Sequence, residues 1–239
     1  MAFPGGSSVF LALLGGFLPA ILWLWFWLQE DRLHPEPRGI IILCFFLGIL
    51  SVIPALFLER IVLKNSGLNV STLSIGVLLL WAIIEEVLKY LAADIAALHR
   101  RECDEPIDYM IYLISAALGF AAAENTLFLL GVIGQGSLVE VIRFGNLRFI
   151  GASVLHILTS ATIGLSLSLS FYKSGLKKKW YLLWGFIVAI GLHLLFNLFI
   201  MKGEDTNTFI VFCFVWAAVV VLLALFEKIK KLSARRSKI

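Results

Sequence analysis

Apolar residues run along this chain in long blocks separated by short polar breaks, without the two-residue alternation of a half-buried strand. Seven blocks, at residues 9–28, 39–58, 72–98, 108–130, 149–172, 180–201 and 209–226, are long enough as helices to cross a hydrocarbon core about 30 Å thick. The connections leave no room for a separate soluble domain. The pattern therefore predicts an all-α, polytopic membrane helix bundle of about seven transmembrane helices, with residues 1–226 as one integral membrane domain and 227–239 as a basic tail. Composition agrees: 60% of the 239 residues are hydrophobic and 15% charged, with a mean hydropathy of +0.95, outside the range of soluble domains. The first block has no Lys or Arg before it and no small-x-small pattern at its end, which predicts a retained helix and not a cleaved signal peptide.

Basic residues add an orientation. Arg32 and Arg38, Arg100 and Arg101, the run Lys173, Lys177, Lys178 and Lys179, and the tail from Lys228 to Lys238 alternate with segments poorer in Lys and Arg. Cytoplasmic loops carry the basic excess, so the N-terminus is expected outside and the C-terminus in the cytoplasm. The tail then meets anionic headgroups of the lipid bilayer, and its lack of interleaved aromatic residues argues against a nucleic-acid partner. Trp23, Trp25 and Trp27 crowd the inner end of the first block, as boundary anchors would. The seventh block is expected to pack against lipid. Cys44, Cys103 and Cys213 are an odd set without disulfide or metal spacing.

The polar residues inside the blocks need a different explanation. Glu85 and Glu86 stand side by side in the third block, where a carboxylate costs on the order of 2.5–3.5 kcal/mol on insertion scales. Lys89 follows Glu85 at the i, i+4 spacing that pairs charges. In the fourth block Glu124 and Asn125 follow a run of small residues that lets a neighbouring helix come close. His156 lies in the fifth block, with Arg148 at its mouth, and His193 and Asn197 share one face of the sixth. At about 1.5 Å per residue, Glu124, His156 and His193 sit roughly 10–12 Å below the outer end, and the glutamate pair nearer 20 Å if counted from Thr72. A polar first turn or a tilt would bring that pair level with the rest. Four elements are therefore expected to surround one candidate cavity in the outer half of the membrane.

These motifs resemble those of the PrsW family of intramembrane proteases. EEVLK at residues 85–89 resembles its E-E-x-x-K signature, and Phe120, Glu124 and Asn125 stand as in its F-x-x-x-E-N motif. His156 preceded by Arg148, and HLLFN at residues 193–197, match two more. More distantly, the family is similar to CAAX prenyl endopeptidases and bacteriocin-processing enzymes. The resemblance implies a protease of a prokaryotic cell membrane that cuts a single-span membrane protein, such as a membrane-anchored anti-sigma factor, near the outer leaflet.

Peptide hydrolysis requires an activated water, a proton donor for the leaving amine and a stabilised oxyanion. Adjacent helix positions point about 100° apart, so one of Glu85 and Glu86 is expected to face the cavity as general base, with the other held by Lys89 or by hydrogen bonds. His193 and Asn197 would orient water or hold the oxyanion, Glu124 and His156 would complete a proton relay, and Lys89, Asn125 and Arg148 would support them. The alternative is metal-assisted: His156, His193, Glu86 and Glu124 are candidate ligands for a divalent ion such as zinc, although no local HExxH pattern is present. Two other classes compete, a proton- or ion-coupled transporter and a non-catalytic membrane scaffold. Buried glutamate and histidine chains also relay protons in transporters.

Overall fold

The computed structural model describes residues 6–30, 34–67, 74–133, 151–202 and 205–236. Among these residues the chain forms seven α-helices and no strand: α1 (Gly6–Glu30), α2 (Arg38–Ser66), α3 (Ile75–Ala93), α4 (Asp108–Ile133), α5 (Ala152–Leu169), α6 (Leu176–Lys202) and α7 (Asp205–Arg236). The all-α bundle expected from the apolar blocks is present. On the described residues α1, α2, α4, α5 and α6 are long and apolar enough to cross a membrane. Helix α3 carries Glu85, Glu86 and Lys89 within its 19 residues, so composition alone does not mark it as a span.

Where helices begin and end has local causes. Ser74 caps α3, its hydroxyl accepting from the Val77 N–H at 3.3 Å, which places the start a little beyond the expected residue 72. Helix α3 ends in a π-turn, Asp94–Leu98, in which Asp94 accepts from the Tyr90 hydroxyl at 3.1 Å and pairs with His99 at 3.2 Å. Helix α7 continues ten residues past the end of its apolar block, supported by the Lys230–Glu227 pair at 2.8 Å, so residues 227–236 extend the helix.

Helix α4 is the axis of the bundle. It is buried without a break from Asp108 to Ala122 and packs against α1, α2 and α5. A helix apolar on every side belongs at the centre of a protein. Gly119 makes its crossing with α2 possible, since a Cβ there would lie 1.9 Å from the Phe45 carbonyl oxygen. That close approach fixes Glu124 little more than a turn further along.

Two expectations about the flanks change. Only Trp25 of the three tryptophans is turned outward; Trp27 is buried with its ring 5.2 Å from that of Phe226, and Trp23 lies 6.0 Å from Trp216. Helix α7 does not simply face lipid: Val215, Val219, Leu222, Phe226 and Ile229, spaced by three and four, form a buried stripe.

Candidate active site

Four helices each bring titratable side chains to one place. Glu85, Glu86 and Lys89 come from α3, Glu124 from α4, His156 from α5 and His193 from α6, and all except Glu124 are buried. Glu85, Glu124 and His156 each offer one donor atom, and these atoms lie within 4.8 Å of one another. The His156 Nε2 is 2.8 Å from Glu124 Oε2, and the His193 Nε2 is 3.7 Å from Glu85 Oε2. Glu124 has 31% of its side chain exposed against 2% for His156, which makes the Glu124 side the opening of the cluster.

The two adjacent glutamates have separate surroundings. Glu86 Oε1 accepts from Lys89 Nζ at 2.6 Å and from His193 Nδ1 at 2.6 Å. Lys89 therefore pairs at i, i+3 with Glu86, not at i, i+4 with Glu85 as spacing suggested. Its ammonium also reaches His156 Nδ1 at 3.0 Å and lies 5.4 Å from the centre of the Phe120 ring. Phe120 packs on the His156 ring as well, 5.5 Å between centroids, so this residue seats both Lys89 and His156. Glu85, by contrast, makes no hydrogen bond among the described residues, and its Oε2, like the Oε2 of Glu86, is buried without a partner there.

Proton positions on the rings follow from these partners. Lys89 has only hydrogens to give, so neutral His156 receives one at Nδ1 and carries its own on Nε2, donating to Glu124, a proton that Nε2 must release before it can hold a cation. Glu86 can only accept, so His193 donates from Nδ1, and its Nε2 lies 3.7 Å from Glu85 Oε2. A histidine whose second nitrogen donates to a carboxylate is a familiar arrangement around metal ions and proton-transfer sites.

The donor set suits a divalent cation. Two carboxylates and an imidazole from three helices converge, and one carboxylate oxygen among them is buried without a hydrogen-bond partner, a costly state unless something binds it. Glu86, expected among the ligands, is already held between Lys89 and His193, and Glu85 stands in its place. His193 lies beside the cluster, 5.8 Å from His156 between ring centroids.

The remaining expected residues divide. Asn125 donates from Nδ2 to the Ser153 hydroxyl at 3.1 Å, tying α4 to α5 directly behind Glu124 and His156. Asn197 is half-buried one turn beyond His193 and makes no hydrogen bond among the described residues. Arg148 lies outside the described residues. Sequence reasoning passed over Glu59 of α2, which interacts electrostatically with both Glu124 and Glu85. It could have been found from depth: Glu59 stands seven residues before the end of α2, about 10 Å, the level estimated for His156 and His193. The Trp81 indole N–H donates to its carbonyl at 3.3 Å and holds α2 to α3 there.

The family model for the PrsW family intramembrane metalloprotease matches residues 36–226, a stretch that contains every residue of this cluster. The chain belongs to the PrsW family. Among curated proteins it is similar to Protease PrsW of Oceanobacillus iheyensis, 29% identical over 198 residues, covering 83% of this chain and 86% of that protein. Protease PrsW of Geobacillus kaustophilus is 27% identical over 199 residues, 82% of each, and that of Bacillus subtilis 32% over 127 residues, 52% and 56%. No solved structure matches. As a PrsW family member the chain is an integral membrane protein of a prokaryote and a membrane protease.

Proposed function

We propose that this PrsW family protein is an endopeptidase that cuts a single-span membrane protein near the outer leaflet, with its water-activating centre at Glu85, Glu124 and His156. The observation that carries this reading is the convergence of those three donor atoms, within 4.8 Å, inside an otherwise apolar bundle. Glu85, Glu124 and His156 would hold a divalent cation such as zinc, which when bound supplies Lewis-acid polarisation and lowers the pKa of a coordinated water.

The protein groups have separable tasks. Glu85 would accept the proton of the attacking water at Oε2, which has no hydrogen-bond partner among the described residues, and offer its other oxygen to the cation. His193 Nε2, 3.7 Å away, takes that proton onward, and the imidazolium is held by Glu86 through Nδ1. From Nε2 it then passes to the leaving amine. Lys89 balances the charge of Glu86 and fixes the His156 ring through Nδ1, and Asn125 holds α4 against α5. Asn197, on the face of α6 that carries His193, offers an amide to the oxyanion.

The test compares membrane-protein N-termini by mass spectrometry in cells expressing wild type or Glu85→Gln at matched levels, with metal content measured on the purified proteins. New N-termini near a partner's outer membrane boundary, present with wild type alone, are the expected result. Glu124→Gln and His156→Ala are each expected to reduce bound metal at least tenfold. Unchanged N-terminal profiles between wild type and Glu85→Gln would overturn the assignment of Glu85. Retained cleavage after complete metal removal would overturn the cation.

A further inference from the structure

At the end of the bundle where α5 turns into α6, an apolar groove runs between these two helices and has no part in the cluster described above. It has a volume of about 590 Å³, and its walls include Leu165, Leu169, Trp180, Trp184 and Val188. Trp180 and Trp184 are more than half exposed, four residues apart on one face of α6. The floor is apolar although it contains two hydroxyls. Thr162 donates to the Leu158 carbonyl and Ser166 to that of Ile163, each at 2.7 Å, so neither offers its hydrogen to the groove. Gly185 sets the depth: a Cβ there would lie 2.2 Å from Ser166 Oγ, and its absence lets α6 approach α5 beneath the groove.

The polar end has one sign of charge. A neighbouring pocket of about 440 Å³ is lined by Tyr172, Lys173, Ser174, Leu176 and Lys177. Lys173 joins the two, because its ammonium lies 5.4 Å from the centre of the Tyr181 ring, and Tyr181 lines the groove. Lys178 is taken up by Tyr109, donating to its hydroxyl at 2.8 Å. Lys173, Lys177 and Lys179 are exposed and form no ion pair among the described residues. The sequence places no Asp or Glu between residues 141 and 203, so neither helix supplies a counter-charge of its own.

We propose that this groove and its lysines form a binding site for one anionic phospholipid. The phosphodiester sits between Lys173 and Lys177, and an acyl chain lies along the groove between Trp180, Trp184 and Val188. Charge complementarity selects the ligand class: a soluble anion makes no use of the groove, and a zwitterionic lipid brings a cation to a pocket that already has two. Basic pockets between transmembrane helices take such headgroups for the same reason, and aromatic rings at the boundary hold glycerol and upper chain segments.

The test uses the purified full-length chain in detergent, offered equal amounts of phosphatidylglycerol and phosphatidylcholine with identical acyl chains, with retained lipid counted by native mass spectrometry. One phosphatidylglycerol per chain is expected, retained at least fivefold over phosphatidylcholine. Lys173→Gln, Lys177→Gln and Lys179→Gln together should abolish that preference. Val188→Trp, which fills the groove and leaves the lysines in place, should lower phosphatidylglycerol retention at least threefold. Lys228→Gln with Lys231→Gln, which removes charge from α7, should leave it unchanged. Thermal unfolding in lipid-free detergent confirms that each variant is folded. The proposal is overturned if wild type holds both lipids equally, if the triple variant keeps its preference, or if the α7 variant loses as much. It is equally overturned if the groove proves to be occupied by a second copy of the chain, seen as a dimer that Val188→Trp dissociates.

Discussion

On α3 the step of about 100° between neighbours sends Glu86 toward Lys89 and His193 and leaves Glu85 facing Glu124 and His156. The two residues should therefore fail in different ways. Glu85→Gln keeps every hydrogen bond described here, so cleavage should fall by about 10²–10⁴, the usual worth of a positioned base, with the unfolding midpoint little changed. Glu86→Gln leaves the fully buried Lys89 without its counter-charge. That should cost about 3–5 kcal/mol in stability as well as activity, and thermal unfolding in detergent separates the two variants. Lys89→Met makes the converse test and should destabilise by a similar amount, since it strands Glu86. The difference in surroundings within the glutamate pair was legible in the sequence, because neighbours on a helix point about 100° apart. Its assignment was not. The i, i+4 rule pointed Lys89 at Glu85, but His156 from α5 and Phe120 from α4 hold the ammonium on the other side, and such tertiary contacts leave no mark in local spacing.

Among the elements, α4 shows how a helix with no polar stripe positions chemistry. Its crossing with α2 depends on missing Cβ atoms at Gly119, five residues before Glu124, and at Gly48 of α2, where a Cβ would lie 2.0 Å from the Ala116 carbonyl oxygen. Gly119→Leu forces the helices apart, and overpacking of this kind costs about 1–3 kcal/mol. The expected outcome is a lower unfolding midpoint together with lost cleavage, because Glu124 moves with the helix; an unaltered midpoint would show that the crossing is not fixed there. The existence of the helices was readable from block length and polar breaks. Which face of α7 is inside was not, since Val and Leu surround it on every side and only the packed neighbours single out the stripe from Val215 to Ile229. The tryptophans of α1 misled for a related reason: an aromatic ring suits the lipid boundary and the bundle interior equally, and Trp27 is taken inward by Phe226.

Taken whole, the molecule draws the side chains of its candidate active site from α3 to α6, wraps them around the buried axis of α4, and joins α1 to α7 along one flank. Trp23 meets Trp216, Trp27 meets Phe226, and Lys230 reaches Glu30 at 3.5 Å. Phe226→Ala removes the α7 ring that packs on Trp27. Its cost should fall toward the low end of the roughly 3–5 kcal/mol typical of a buried Phe truncation, because α7 keeps the rest of its stripe. Thermal unfolding gives the number. The same seam bears on the order of synthesis. Helix α1 leaves the ribosome well before α7, so the large rings of α1 wait against lipid until α7 has been made. A message cut short just after residue 202 would yield a chain with every residue of the cluster and an unsealed flank, a product for quality-control proteases to clear before it could cut anything itself.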